Sequence, residues 1–228
     1  MHPPDTTTAP LDRKSAILAA ALAVFAEKGI EAATIDDIRQ RSQASVGSIY
    51  HHFGTKENIA AALFAQGLDD YWTRLLAGVR DAGDARLAIH ALLATHLDWI
   101  VARPDLARFL FARRQAVSPA HEQAIRQLTG DHFKTMLALL KPWFQQGILR
   151  RVAPELYAPL LLGPAQELAR HWLGGRLQHD PRDAIEELSA AAWRSLATDA
   201  ALAATLSHAD HTDHTGHAGH RDHQEPRA

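Results

Sequence analysis

Residues 34–53 read TIDDIRQRSQASVGSIYHHF. Thr34 is followed three positions later by an acid, the arrangement of a capping box with Asp37 in place of the usual Glu or Gln. It predicts a short helix over about 35–41 with Ile35 and Ile38 facing inward. Ser42 to Ser45 is a polar break. Ser45 is a natural N-cap for a second short helix, about 46–52, whose apolar anchors Ile49 and Phe53 lie four apart on one face. Gly54 ends that helix, and Thr55 caps a longer one beginning near Lys56. Two short helices joined by a tight turn form a helix-turn-helix, a unit whose second helix can enter the major groove of DNA.

The side chains suit that use. Ser45, Ser48, Tyr50, His51 and His52 offer small or planar polar groups, and Gly47 removes a side chain where a helix must approach another backbone closely. Arg39, Arg41 and Lys56 flank the unit, and the stretch from Arg39 to Lys56 holds three cations and no acid. Taken alone, the pattern leaves an alternative open: short helix pairs occur in many helical proteins, Tyr50 can be a packed aromatic, and the two histidines can be ordinary surface residues.

Upstream, Ile17, Leu18, Ala21, Leu22, Val24 and Phe25 form the apolar stripe of a helix over about 12–28, and Gly29 supplies a residue that tolerates positive φ at its end. With these residues in view, the run from Val46 to Glu57, VGSIYHHFGTKE, resembles the TetR/AcrR family of bacterial transcriptional regulators. So do Phe25 to Gly29 (Phe-x-x-x-Gly) and Thr34, Ile35 and Ile38. The resemblance covers about residues 12–58. It implies that Thr34 and Lys56 contact phosphates and that Ser45, Gly47, Tyr50 and His51 line the groove and the sugar-phosphate edge. It also implies that His52 contacts phosphate and that Ile49 and Phe53 pack the head. His51 stands where a second Tyr is common, and Val46, at a position variable in the family, touches either a thymine methyl or nothing. The family binds palindromic operators as a dimer, so the resemblance implies a homodimer, a double-stranded DNA operator and a small-molecule effector.

Beyond the head, Ala, Leu, Arg, Glu and Gln dominate, strand signals are nearly absent, and apolar residues recur at helical spacing. The expected fold is all-α with about nine helices: a three-helix head at 12–58, a linking helix to about 77, and a ligand-binding and dimerisation domain over 78–206. Further helices are expected at about 84–102, 104–116, 119–145, 154–178 and 183–205, several opening on a proline. Pro142 and Pro164 should kink or break theirs. Residues 1–11 and 207–228 read as disordered extensions.

In the larger domain, an effector site would draw on His96, Trp99, Phe109, Arg113, His132, Phe133, Met136 and Trp143, each of which can equally be core or surface. Tyr157, Leu160, Leu161 and Leu168 form one stripe, and Ile185, Leu188, Ala192 and Leu196 another. Paired across a two-fold axis they make an intermolecular four-helix bundle, or else they face the subunit's own core. The C-terminal tail places histidines at His208, His211, His214, His217, His220 and His223, a strict period of three. Imidazole is the commonest protein ligand for late transition metals, so the tail is a candidate divalent-metal binder, and no other cofactor is implied.

Composition sets the outer limits. The 228 residues contain no cysteine, which excludes disulfides, thiolate metal sites and a cysteine nucleophile. No zinc-hydrolase motif, phosphate loop or nucleophile elbow occurs, so an enzyme is not expected. No signal peptide or membrane-length apolar run is evident, and a cytoplasmic location is expected. Formal net charge is −2. The tail from His208 carries two Arg against three Asp and one Glu, which accounts for all of it. The rest holds 22 charges of each sign. That balance excludes only indiscriminate electrostatic binding. The reading is therefore a ligand-responsive DNA-binding regulator, most simply a repressor released from a palindromic operator. Its alternatives are a metal-responsive repressor using the tail and an architectural DNA-binding protein with no effector.

Overall fold

A computed structural model describes residues 12–112 and 119–205. Its order is α1 (Arg13–Ala32), α2 (Ile35–Ser42), α3 (Val46–Phe53), α4 (Lys56–Arg80), α5 (Ala85–Ala102), α6 (Pro104–Ala112), α7 (Pro119–Gln145), α8 (Pro154–Leu173), a 3-10 turn (Pro181–Ala184), α9 (Ile185–Leu196) and a last helix, α10, over 199–205. Among the described residues there is no strand, only one isolated antiparallel bridge between Leu149 and Ala197. The fold is all-α.

The helix starts follow from local chemistry. α1 to α5 are each preceded by a residue whose side chain accepts the N–H three positions on: Asp12 from Ser15, Thr34 from Asp37, Ser45 from Ser48, Thr55 from Asn58 and Asp84 from Leu87. Each such cap stabilises its helix by about 1 kcal/mol. The capping box at Thr34 is closed in both directions, since Asp37 Oδ2 accepts from the Thr34 N–H at 3.0 Å. Gly29, at φ 77°, interrupts regular helix inside α1 where the sequence places the end.

Three helix expectations change. The predicted 154–178 helix stops at Leu173. The predicted helix over 183–205 divides into α9 and α10, because the chain at Ala197–Thr198 is extended and pairs with the strand-like 148–150: Arg150 N–H donates to Leu196 O, and Thr198 N–H to Ile148 O, both at 2.9 Å. Pro142 and Pro164 do not break their helices, and α8 also runs through Pro159. All three prolines are exposed, so the carbonyl each leaves without an intrahelical donor lies on a face that water reaches.

Two cores result. Ile17, Leu18, Val24, Phe25, Ile38, Ile49, Phe53, Ile59 and Leu63 make the head core, and Phe64, Tyr71, Leu75, Leu93, Trp99, Ile100 and Leu196 belong to the body core. α4 serves both: its buried side chains through Leu63 belong to the head and from Phe64 onward to the body. Phe109 on α6 packs against both clusters, its ring 6.1 Å from Phe25 and 6.4 Å from Phe64. The head is therefore seated on the body through α4 and α6.

Candidate nucleic-acid interface

α3 divides into two faces. Ile49 is 1% exposed and Phe53 is buried, and they hold the helix on the head core. On the opposite side Val46 is 45% exposed and Tyr50 54%, with Ser45, Gly47, His51 and His52 also exposed and Ser48 half-buried. Two large apolar-bodied side chains on the surface of a short helix are unfavourable unless something covers them. The His51 and His52 rings stand edge to face with centroids 5.4 Å apart, and His52 lies beside Phe53. A Cβ built on Gly47 meets no atom within 4 Å, so nothing in the fold requires glycine there.

The turn between α2 and α3 is tight because Gln43 adopts the left-handed region, φ 53°. Gly54, at φ 76°, closes α3, and Asn58 Nδ2 donates to Phe53 O at 2.7 Å to seat the start of α4. Lys56 is half-buried. Its ammonium donates to Glu31 O at 2.8 Å and Ala33 O at 3.0 Å, tying the α1–α2 link to α4. An ammonium has three donors. The third is uncommitted in these contacts.

The local surplus of three cations is offset in space by acids outside the stretch. Arg39 pairs with Asp36 at 2.7 Å and Arg41 with Glu27 at 2.7 Å. These pairs are solvent-exposed and each contributes about 0–1 kcal/mol, little enough that a phosphate can replace the carboxylate. Lys28 binds Asp37 at 2.7 Å, and that contact, with the Thr34 hydroxyl and N–H, holds the Asp37 carboxyl down at about 2. Asp37 thus joins α1, the cap of α2 and the α1–α2 link, a role the sequence reading confined to capping.

Residues 17–63 match the model of the family described as "Bacterial regulatory proteins, tetR family", a span that ends where the head core ends. A transcriptional repressor, KstR2 of Rhodococcus jostii, is 33% identical over 98 residues, spanning 43% of this chain and 48% of that protein. The transcriptional regulator BetI of Burkholderia mallei is 28% identical over 175 residues, 75% of this chain and 85% of that protein.

The head, residues 17–63, is that of the TetR family.

The crystal structure of a tetR-family bacterial regulatory protein from Rhodococcus RHA1 superposes with a TM-score of 0.69 at 22% identity, covering 82% of this chain and 99% of that one. The likeness of fold therefore extends well beyond the head. The exposed polar face of α3 lies inside the matched span.

The effector candidates do not converge on one site. His96 is fully buried, Trp99 and Met136 are buried, and His132 and Phe133 are half-buried. Trp72 stacks parallel on His132 with centroids 5.8 Å apart, and His132 Nε2 stands 3.5 Å from Asp69. Phe109 is wedged between head and body. Trp143 lies eleven residues beyond His132 on α7, about 16 Å along the helix. Its carbonyl there accepts from Ile148 and Leu149 at the far end of the body. Arg113 falls outside the described residues. The sequence reading missed Asp70, which accepts from Trp99 Nε1 at 2.7 Å and Arg74 at 3.0 Å, with Arg103 at 3.6 Å. Burial pushes the Asp70 carboxyl up, but these donors outweigh it and keep it below the usual range. A groove of about 740 Å³ between α5 and α9, bordered by His90, Arg86 and Glu186, contains none of the candidates.

The two proposed interface stripes also split. Tyr157, Leu161, Ala192 and Leu196 are buried in the subunit's own core, and the Tyr157 hydroxyl accepts from Val152 N–H at 3.2 Å. These four have almost no surface left for a partner. Leu160, Leu168, Ile185 and Leu188 are half-buried, and Leu156 is exposed. The six tail histidines, His208 to His223, lie outside the described residues; among the described residues no metal-binding group of three side chains is found.

Proposed function

We propose that this protein represses transcription as a homodimer that lays its two α3 helices in successive major grooves of a palindromic operator, and that a small-molecule effector releases it. The observation that carries the reading is the two-faced α3. Val46, Tyr50, His51 and His52 are displayed to solvent by a helix whose other side is locked by Ile49 and Phe53. In this reading Tyr50, His51, Ser45, Ser48 and Gly47 meet base edges and sugar. Val46 meets a thymine methyl. Thr34, His52 and the free third donor of Lys56 meet phosphates, and Arg39 and Arg41 exchange their exposed carboxylates for phosphates.

Dimerisation uses the outer faces of α8 and α9, where Leu156, Leu160, Leu168, Ile185 and Leu188 retain surface to bury. The protein acts in the cytoplasm, where the operator is; none of its described helices is long and apolar enough to cross a membrane. The repressor named KstR2 supports repression as the sign of regulation. An effector that binds better to a state with the wrong spacing between heads moves the population off DNA.

The test is selection of binding sites from random duplex DNA by the full chain, with the mass of the free protein measured alongside. A single palindrome, with half-sites a helical turn or a small multiple apart, and a dimer mass are expected. A diffuse A·T preference or a monomer overturns the proposal.

A further inference from the structure

Within the body, α4, α5 and α6 close around a group whose hydrogen bonding is incomplete. The His96 imidazole is fully buried. Its Nδ1 meets the Tyr71 hydroxyl at 2.7 Å, and its Nε2 has no partner. Tyr71 stands edge-on to the imidazole, with centroids 5.8 Å apart, and Phe111 lies 6.4 Å away. Trp72 and Trp99 are edge-on to Tyr71 in turn. Burial in this aromatic surround pushes the His96 imidazole down to about 4, so it is neutral at ordinary pH, and pushes the Tyr71 phenol up, so it keeps its proton.

The tautomer follows by counting unsatisfied groups. If Tyr71 donates to Nδ1, the ring proton sits on Nε2 and one group, that N–H, is unsatisfied. If Nδ1–H donates to Tyr71, both the tyrosine O–H and the bare Nε2 lack partners. The first arrangement is favoured. A buried donor with nothing to donate to is rare in native structures, and an occupant that supplies an acceptor would satisfy it.

We propose that His96 Nε2–H is the polar anchor of the effector site, and that the effector is an uncharged, mainly apolar molecule presenting a carbonyl or ether oxygen to it. The proposal rests on the reading of the protein as an effector-released regulator. The donor demands an acceptor oxygen, and the aromatic surround demands an apolar body. Among the described residues, Arg74 and Arg103 are already engaged by Asp70, which leaves a buried carboxylate without a counter-charge from either. Entry is at Phe111, which is 36% exposed and covers the imidazole from the end of α6. Two residues earlier on the same helix, Phe109 is wedged between Phe25 of the head and Phe64 of α4. A molecule that displaces Phe111 moves the helix that seats the head, so occupancy and head position are coupled.

The test titrates the full-length protein with three probes of one shape, 2-acetylnaphthalene, 2-ethylnaphthalene and 2-naphthoate, following tryptophan fluorescence. The ketone is expected to bind at least tenfold more tightly than the hydrocarbon and the carboxylate, and H96F to bring ketone and hydrocarbon within twofold of each other. No ketone preference in the wild type, or one that survives in H96F, overturns the anchor. Because H96F alters a buried site, ¹⁵N shifts of the wild-type His96 ring give an independent answer. Protonation at Nε2 is expected, and protonation at Nδ1 overturns the proposal. The underlying reading fails separately. A His96-dependent ketone preference with no release of selected operator DNA leaves the anchor standing and sinks effector release. Release by compounds indifferent to H96F does the reverse.

Discussion

Ile49 and Tyr50 are neighbours on one short helix, and substituting each by alanine should separate folding from DNA binding. Ile49 is 1% exposed, in contact with a head core built from only a few helices. Truncating a fully buried isoleucine costs about 2–5 kcal/mol, from lost transfer energy and from the cavity left behind. For a chain of this size each kcal/mol lowers the melting temperature by about 2–4 °C, so Ile49→Ala should melt about 5–15 °C lower. Tyr50 is 54% exposed and makes no side-chain hydrogen bond or ring contact among the described residues. Removing its ring should change stability by less than about 0.5 kcal/mol, with alanine the better helix former. Its loss should instead weaken operator binding. A contact worth about 1–3 kcal/mol per half-site, present twice in a dimer, amounts to 30-fold or more in affinity. Circular dichroism melts read the first quantity, and gel-shift titration on selected DNA reads the second. The two-faced picture of α3 is refuted if Tyr50→Ala destabilises as much as Ile49→Ala, or if it binds operator with undiminished affinity.

Gly47→Ala should fold at least as well as the wild type, since the added methyl meets no atom and alanine favours helix by about 1 kcal/mol, yet lose operator affinity in the same gel shift. Asp37 has a folded value near 2, below its unfolded one, so its stabilising contribution is present at neutral pH and is lost as pH falls from about 4 to 2. Melts of Asp37→Asn across that window should show a smaller acid-induced loss than the wild type, and an equal loss would remove Asp37 as the link between α1 and α2. Truncation after Ser207 should abolish zinc and nickel binding in calorimetric titrations while leaving operator affinity indifferent to either metal. A zinc-dependent affinity that disappears on truncation would instead make the tail a sensor.

The helix-turn-helix was legible because its determinants are local. Thr34, Ser45 and Thr55 cap helices within three residues of themselves, and Ile49 and Phe53 declare their common face by spacing alone. The effector region was not legible in the same way. Aromatic residues at helical spacing on α5, α6 and α7 carry one pattern whether they enclose a ligand, fill a core or, as with Phe109, join two cores. The interface stripes divide for the same reason: Tyr157 and Leu161 are apolar at the right period yet buried in the subunit's own core, since a period says only that a face is buried, not what buries it. The last predicted helix divided because hydrogen-bonding partners 46 and 50 residues upstream, Arg150 for Leu196 and Ile148 for Thr198, compete with helix continuation, and no local propensity records a distant partner.

By itself, then, the sequence determined that this chain is helical, where its first five helices begin, and that α3 carries the groups a DNA reader needs, since all of these depend on residues within one or two turns of each other. Only the tertiary structure decided that the cations beside α3 are shared with acids of α1 and α2, that Lys56 is half committed to carbonyls, and that Phe109 seats the head. It alone showed that His96 is held by Tyr71 with one nitrogen left over. Apart from the Asp36–Arg39 pair, three residues apart on α2, those facts depend on contacts between residues 14 to 84 positions apart, and the packing of helices against one another creates them.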